Sequence, residues 1–551
     1  MKRYILSIVS FGALLITGCK KDFFNRPPED AIVVGNFYKT NDQVTASTNA
    51  LYGAPWFGYN IKVGWSITEL AGGNGQTYSS DVVNFGNFSV TNTNFELSAA
   101  WNSLFTVVAQ ANALLVNLPA GVSSSVDTTV VNNALGEAHL MRALAYFHLV
   151  RIFGPVPIIE NSLDYVDNYQ INANIVPDVY QFIVNDLLYA ESHCYHKIRS
   201  GNSVAQGHVS SGSASALLAK VYLYMQDYTN ARAEAEKVIN SGEFKLYGID
   251  ILGKSFADLF LTANNNNEES VVALQWAGGS SYGRGNGVQA SFAFNGVITG
   301  TGDGYNAVVP TFDLIDIFEP GDLRRKPTFM IPGDVYPEIN QKNGGFTYPA
   351  DGNAGRTSSS VKKYVVGTPS DNGGVGAAQS TGNNTYMMRY AEVFLIEAEA
   401  VMAGAQTSSD PAALAAINKI RNRAGLGNLA EIKRGYYIPN PALQLPGAPS
   451  NTPPTLYKDD ILDERRREFA FENDYWFDLT RLDGFNSPTH PKAITIIKQQ
   501  DRGTESSTTP PSRYGNAYIT DITDEDFLFP YPQTEITANP KLLEAPVPYH
   551  F

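Results

Sequence analysis

The chain has 551 residues, a mass of 60.0 kDa and a formal net charge of −14, with 17% charged and 12% aromatic residues. This length allows a large core and roughly two to four domains. The acidic balance excludes a nucleic-acid-binding protein, because such proteins need a basic surface to displace counterions from phosphates. Two cysteines are too few for a cysteine-rich metal site. Low charge with many tyrosine, phenylalanine and glycine residues is typical of two kinds of surface: the ordered loops of an extracytoplasmic protein, or a binding surface for neutral polar ligands.

The N-terminus reads as a signal peptide over residues 1–18. Lys2 and Arg3 supply its positive end, and residues 4–16 supply an apolar stretch shorter than a membrane-spanning helix needs. The sequence ITGC then places small residues directly before Cys19. We expect cleavage before Cys19 and acylation of its thiol; the alternative is an ordinary signal peptide followed by a chance cysteine. No later stretch predicts a membrane span, so the lipid would be the anchor.

Seven predicted helices group mainly in pairs along the chain. They cover residues 98–118, 131–153, 177–192, 211–226, 229–240, 387–403 and 411–424. Proline and glycine mark their ends, as at Pro119 and Gly242, and Thr229 is the expected N-cap of the fifth. The second helix is apolar nearly all round, so we expect it to be buried on most faces. Pairs of about 34 residues with small alanines at the crossing resemble tetratricopeptide repeats, here interrupted by long insertions.

The insertions are rich in glycine, serine and asparagine. They cover residues 53–94, 264–304, 338–384 and, with many prolines, 436–454. Ordered loops on a rigid scaffold are where binding residues concentrate. The sequence GRGNG at residues 283–287 lacks the lysine and the strand-to-helix context of a phosphate-binding loop, so we interpret it as a flexible loop.

The most charged segment, residues 463–481, admits two interpretations. Glu464 and Glu468 lie four residues apart and would share a helix face, so a glycoside hydrolase is one hypothesis. Hydrolysis requires two carboxyls that flank a sugar at about 5–10 Å from each other, with one pKa raised. The alternative, which we prefer, is structural: Arg467 has helical ion-pair spacing to Asp463 and Glu464, and aromatic residues would bury around them.

No other motif predicts catalysis or a bound metal. The seven histidines form no HExxH pair, and neither a GxSxG nucleophile elbow nor an EF-hand spacing occurs. Acylation of Cys19 would leave Cys194 without a disulfide partner. We therefore expect no cofactor, no metal and no enzymatic activity.

Four distinctive segments follow one another along the chain. They read CKKDFFNRPP with NFYKT; EAHLMRALAYFHLVRIFGPVPI; MRYAEVFLIEAEAV with INKIRNRAGL and DERRREFAFENDYWFDLTRL; and LFPYPQTEITANPKL. Together, and in this order, they resemble the RagB/SusD family of nutrient-binding lipoproteins over nearly the whole chain. The tail EAPVPY departs from the QNPGY-like ending that is frequent in the family, which concerns the packing of the terminus.

The resemblance implies a mostly helical fold, with tetratricopeptide-like helix pairs forming a scaffold and a loop-rich ligand-binding lobe. Residues 19–551 would form one domain, with the scaffold mainly in 98–242 and 386–482 and the lobe mainly in 243–385 and 426–456. It also implies a lipid-anchored protein on the outside of the outer membrane that captures a glycan and closes as a lid over a SusC-like TonB-dependent transporter. A peptide ligand, which some family members handle, is the alternative; the low charge of the loops favours sugar.

Aromatic residues in or beside the long loops are the candidate ligand-binding residues. They are Trp56, Tyr59, Trp65, Tyr78, Trp276, Tyr282 and Tyr305. A flat ring suits the apolar face of a pyranose and offers a large contact area at little entropic cost. The alternative is that each ring packs inside its own loop. Trp101 and Trp476, in predicted helical and charged segments, are expected in the core.

Overall fold

The structure, a computed structural model, describes residues 37–196, 207–439, 455–505 and 517–551, so the predicted signal peptide and Cys19 lie outside the described residues. Seven helices of 13 residues or more lie within these ranges. They are α1 Phe95–Gly121, α2 Thr128–Phe153, α3 Val176–His193, α4 Ser211–Tyr224, α5 Tyr228–Ser241, α6 Tyr390–Met402 and α7 Pro411–Arg423. Each corresponds to a predicted helix, which confirms a mostly helical fold.

Capping side chains and glycine determine the helix ends, which differ from the prediction at two places. Helix α1 begins after Asn94, whose side chain accepts two backbone N–H groups of the first turn. It continues past Pro119 instead of ending there. Asp227, not Thr229, caps α5 by accepting the backbone N–H three residues on, at 3.2 Å. Gly242 ends α5 as predicted, in the left-handed conformation with φ of 71°.

Helix α2 lies between α1 and α3 at the centre of the helical part. Every residue from 140 to 153 is buried, which confirms the prediction for this helix. Helix α1 is long and apolar enough to cross a bilayer by length and composition, but its Trp101 and Leu104 side chains lie in the hydrophobic core. Helices α4 to α7 extend the scaffold, because α5 packs against both α4 and α6, and α6 packs against α7.

Short strands pair in antiparallel two-stranded ladders. They are β1 Gly75–Thr77, β2 Ser270–Leu274, β3 Val308–Pro310, β4 Phe329–Met330, β5 Val335–Tyr336, β6 Phe346–Thr347, β7 Ser360–Val361, β8 Thr385–Arg389, β9 Thr407–Ser408, β10 Ile432–Lys433, β11 Tyr436–Pro439 and β12 Thr455–Lys458. The pairs are β1 with β3, β2 with β8, β4 with β7, β5 with β6, β9 with β10, and β11 with β12. In the β2–β8 ladder Ser270 lies opposite Arg389, so this ladder joins the inserted loops to the start of α6.

Shorter helices and single helical turns fill the connections. The short α-helices are Asn41–Ser47, Val83–Gly86, Val288–Phe292, Gly296–Thr299, Phe312–Ile317, Arg325–Thr328, Asp460–Phe469, Tyr475–Thr480, Pro491–Gln499 and Gln533–Ala538. The 3-10 turns are Asn49–Tyr52, Ala54–Trp56, Ser162–Tyr165, Phe256–Phe260, Thr262–Asn264, Gln341–Asn343, Pro369–Asn372, Asp524–Phe527 and Pro540–Leu543.

The first long insertion is not an open loop, contrary to the prediction. The segments Tyr59–Val63 and Ser66–Leu70 form wide π-helical turns within one continuous coil of helix. This coil packs directly on α1: a Cβ atom added at Gly58 would lie 3.2 Å from the carbonyl oxygen of Ala99. Because of this close packing, the glycine-rich segment is part of the core, although its sequence has no helical periodicity.

The helix Asp460–Phe469 carries its charged residues into the interior. Glu468 accepts a hydrogen bond at 2.8 Å from Arg389, the last residue of β8. The same guanidinium donates to Glu269 at 2.6 Å and to Glu472 at 2.7 Å. All of these side chains are buried, so the ion pairs replace the water that each charge would otherwise require.

Glu464, one turn earlier, is held in the same way. It accepts from Arg324 at 2.6 Å and from Arg467 at 2.7 Å. Burial favours the neutral acid, but the two guanidinium groups outweigh it and lower the pKa of Glu464 to about 2. The predicted pair of Arg467 with Glu464 is confirmed, whereas Asp463 pairs with Lys458 instead.

Replacement of Arg389 by methionine should lower the free energy of unfolding by about 3–5 kcal/mol, because three carboxylates lose their shared buried cation. The matched control is Arg232→Met, which removes an exposed pair with Glu236 and should lower it by no more than ~0.5 kcal/mol. Urea denaturation of both variants measures the difference. Equal effects would contradict a structural role for the buried network.

Candidate functional site

Four of the predicted ligand-binding aromatics lie in the core, and three of these are almost completely enclosed. Trp56 and Trp65 are 0% exposed and Tyr59 is 1% exposed. Their polar atoms are already bonded: the indole N–H groups of Trp56 and Trp65 donate to backbone carbonyls at 2.8 and 3.1 Å, and the Tyr59 hydroxyl bonds His148 at 3.2 Å. The prediction that these rings face a ligand is wrong, because the segment that carries them is a packed helical coil rather than an open loop.

Trp276 is the fourth buried ring. It is 8% exposed, and its indole N–H donates to the Thr385 hydroxyl at 3.1 Å. Its ring packs edge-on against Phe57 at 6.3 Å, and Phe57 in turn packs edge-on against Tyr282 at 4.8 Å. Trp276 therefore supports Tyr282 through Phe57, and its own ring is not available to a ligand.

The other three predicted residues are exposed. Tyr78, Tyr282 and Tyr305 expose 57%, 68% and 50% of their surface, and we call them the tyrosine surface. Tyr78 follows β1 and Tyr305 precedes β3, and the antiparallel pairing of these strands, with Thr77 opposite Val308, brings the two residues together. The Tyr78 hydroxyl donates to the Tyr305 carbonyl oxygen. Strand pairing, and not proximity in sequence, therefore assembles this part of the surface.

Tyr282 is connected to Tyr78 and Tyr305 through neighbouring segments of the chain. The Lys62 ammonium pairs with Asp81, three residues after Tyr78. Burial opposes the charge of Lys62, but Asp81, Glu96 and the Tyr282 hydroxyl outweigh it and raise the pKa of Lys62. Tyr282 packs on Phe57, five residues before Lys62, at 4.8 Å. Two residues before Tyr282, the Ser280 carbonyl accepts the Ser380 hydroxyl at 3.0 Å, and the neighbouring Gln379 bonds Tyr305.

Polar side chains border the tyrosine surface. The Arg356 guanidinium lies 4.1 Å from the centre of the Tyr78 ring, a cation–π contact. The side-chain amide of Gln379 donates to the Tyr305 hydroxyl at 3.4 Å. Hydroxyl, amide and guanidinium groups beside exposed rings can satisfy the hydroxyl groups of a ligand whose faces are apolar.

The loop that carries Tyr282 is anchored at its far end. Asn286 exchanges backbone hydrogen bonds with Thr381 at 2.8 and 2.9 Å, and its side-chain amide donates to the Asn383 carbonyl at 2.8 Å. A Cβ atom at Gly285 would lie 2.1 Å from the Ser380 hydroxyl oxygen. The prediction of a flexible loop over residues 283–287 is therefore wrong for its second half, where glycine is required for close backbone contact.

The interior carboxylates do not form a hydrolytic pair. Glu464 and Glu468 are 0% exposed, and their arginine partners keep the pKa of both well below the usual range. A general acid in glycoside hydrolysis needs the opposite shift and access to the sugar. No group of histidine, cysteine, aspartate and glutamate side chains in the described part of the chain could hold a metal ion.

Comparison with known proteins places the chain in a family. A family model described as the SusD family matches residues 268–548, and one described as starch-binding and associating with the outer membrane matches residues 41–223. A SusD-like protein of Bacteroides ovatus is 32% identical over 99% of this chain and 98% of its own length. The chain belongs to the SusD family. A second SusD-family relative, SusD-like protein P2 of Formosa agariphila, is 26% identical over 98% of this chain and 99% of its own length.

Solved SusD-family structures share this architecture. A structure determined with xylogluco-oligosaccharide has a TM-score of 0.77 and 30% identity, and covers 92% of this chain and 99% of that one. A laminarin-binding SusD-like protein has a TM-score of 0.65 and 22% identity, covers 91% of this chain and 98% of that one, and shows the fold alone. The predicted family and its tetratricopeptide-like helical architecture are thereby confirmed.

Trp65→Ala should lower the free energy of unfolding by roughly 3–5 kcal/mol, because it removes a fully buried indole. Tyr282→Ala should change it by no more than about 0.5 kcal/mol, since most of that ring is exposed. Denaturation curves of the two variants measure the contrast. Similar stabilities would contradict the separation of core from surface aromatics.

Proposed function

We propose that this SusD-family protein is a cell-surface lipoprotein that captures an oligosaccharide on the tyrosine surface and delivers it to a SusC-like TonB-dependent transporter. The observation that carries the proposal is that Tyr78, Tyr282 and Tyr305 are all at least half exposed and lie on segments that hydrogen bonds join to one another. Buried aromatic rings contribute to stability, whereas rings held open to solvent are available to a ligand.

The chemistry of the tyrosine surface favours a neutral sugar over a peptide. Pyranose rings present apolar C–H faces that match aromatic rings, and equatorial hydroxyls that match side chains such as Gln379 and Arg356. Asp81, three residues after Tyr78, is already paired with Lys62, so it offers no unpaired carboxylate to a cationic peptide. The relative whose structure was determined with xylogluco-oligosaccharide, at 30% identity, supports the same ligand class.

We propose binding without hydrolysis. Hydrolysis would require an accessible acid of raised pKa close to the tyrosine surface. Asp81 is ion-paired, and its pKa is lowered by Lys62 and Ser79 against the effect of burial. Burial raises the pKa of Glu96, but this residue is only 7% exposed and lies 3.7 Å from Lys62. The surface is also anchored on both sides, by the β1–β3 ladder and by Asn286. A fixed surface binds with a smaller loss of conformational entropy.

The lipid anchor and the transporter complete the proposal. Acylation of Cys19 would place the chain on a membrane, and the family description of association with the outer membrane supports that location. An anchored binding protein beside a barrel raises the local concentration of ligand at the transporter, so a modest affinity is sufficient. Co-purification of the lipidated protein with its barrel would test the partnership.

Replacement of Tyr78, Tyr282 or Tyr305 by alanine should weaken oligosaccharide binding by roughly tenfold each, because each variant removes one stacking face. Calorimetric titration with xyloglucan, β-glucan, xylan, mannan, pectin, chitin and starch oligosaccharides, and with a peptide mixture, measures the effect. The matched control is Tyr437→Ala, since Tyr437 is 56% exposed and lies on β11. Binding of peptides alone would replace the glycan proposal, and equal losses in all four variants would exclude this surface.

Cys19→Ala should move the protein from the membrane fraction to the soluble fraction, because no thiol remains for acylation. Incorporation of labelled palmitate into the wild type and not into the variant measures the modification directly. Cys194→Ala is the control, because Cys194 is buried in the folded chain and should leave labelling unchanged. Palmitate labelling of Cys19→Ala would contradict the anchor.

A further inference from the structure

A large pocket lies apart from the tyrosine surface. Its volume is about 830 Å³, within the range of small-molecule binding sites, and none of the three exposed tyrosines lines it. Its walls come from the 3-10 turn Phe256–Phe260, the end of the helix Phe312–Ile317 and the segment between residues 318 and 338. Pro320, Pro327 and Pro337 line the pocket, and their fixed φ angles stiffen its wall.

One wall of the pocket is aromatic. The rings of Phe318 and Phe329 pack edge-to-face at 5.3 Å, and Ile315 and Ile331 line the same pocket. Val335 belongs to the lining and is 49% exposed, so apolar surface continues from the interior to the rim. An open apolar pocket of this size is suited to a ligand with a flat hydrophobic body.

Two ammonium groups lie together beside this wall. The Nζ atoms of Lys326 and Lys362 lie 5.3 and 5.6 Å from the centre of the Tyr336 ring. Burial lowers the pKa of Lys362, Glu338 opposes this, and the charge of Lys326 lowers the pKa further, which places the two cations within electrostatic reach of each other. Lys362 has Glu338 at 3.4 Å, but Lys326 has no ion pair within the residues that the structure describes.

The carboxylates that line the pocket are already engaged. Glu319 accepts from Arg421 at 2.9 Å, and Asp322 accepts from Arg324 at 2.8 Å. Asp258 accepts the backbone N–H of Ser255 at 2.7 Å. Glu338 is the partner of Lys362, and Arg325 pairs with Asp334 outside the lining. The exposed ammonium of Lys326 is therefore the cation left to receive an anionic ligand group.

We propose that this pocket binds a small aromatic carboxylate, with the ring against Phe318 and Phe329 and the carboxylate on Lys326. The ammonium of Lys362 would add a second, weaker attraction. Size, apolar wall and unpaired cation all match one ligand that carries a hydrophobic body and a single negative charge. This site is independent of the proposed oligosaccharide capture, because it shares no residue with the tyrosine surface.

Cinnamate is the probe, and cinnamyl alcohol is its uncharged counterpart. Saturable binding of cinnamate by the folded chain, followed by ligand-observed NMR, should be weakened about tenfold by Lys326→Gln, which removes a charge-assisted hydrogen bond. Val335→Asp places a repelling carboxylate at the exposed rim and should weaken it by a similar factor. Lys342→Gln, an exposed lysine outside the pocket, is the matched control and should have no effect.

Tyr305→Ala separates the two proposals, since it should leave cinnamate binding intact while weakening oligosaccharide binding. Loss of cinnamate binding in Tyr305→Ala would assign the probe to the tyrosine surface and overturn the pocket site. Absence of saturable cinnamate binding, equal binding of cinnamyl alcohol, or indifference to Lys326→Gln would overturn it as well.

Discussion

A buried set of ion pairs joins the inserted segments to the long helices. Glu468 is its centre, with guanidinium groups from Arg389, Arg423 and Arg324 converging on one carboxylate. These arginines lie at the end of β8, at the end of α7 and in the inserted segment, so the helix Asp460–Phe469 touches all three regions. Removal of any one partner would destabilise the fold, because it leaves a buried charge without its counterion. Both proposed binding sites include residues of the inserted segments that these ion pairs hold in place.

Contacts in the interior also hold the residues of the tyrosine surface in place. Tyr282 is 68% exposed and packs on Phe57, which packs on Trp276, and both of these supporting rings are buried. Arg502 holds the end of the coil that carries Lys62. Its guanidinium donates to the carbonyl oxygens of Leu70 and Ala71 at 3.0 and 2.9 Å. A surface supported in this way presents its rings in one arrangement before ligand arrives.

Local patterns predicted the helical scaffold well. Apolar periodicity, with prolines and glycines at the ends, identified each of the long helices, and the uniformly apolar sequence of α2 predicted its burial. Cap positions were less reliable, as at Asp227, because two residues that can both accept a backbone hydrogen bond lay close together. The structural role of the charged residues 463–481 was also predictable, because of their ion-pair spacing and the aromatic residues beside them.

The sequence by itself determined the family and the long helices, predicted a lipidation site at Cys19, and supplied the set of aromatic residues from which a site could be built. Only the tertiary structure decided that Trp56, Tyr59 and Trp65 are core while Tyr78, Tyr282 and Tyr305 are surface. All six lie in segments rich in glycine and polar residues, where no periodicity separates an inward from an outward ring. Burial there depends on contacts with residues far away in the chain, such as Ala99 beneath Gly58 and Val308 opposite Thr77, which local sequence does not encode.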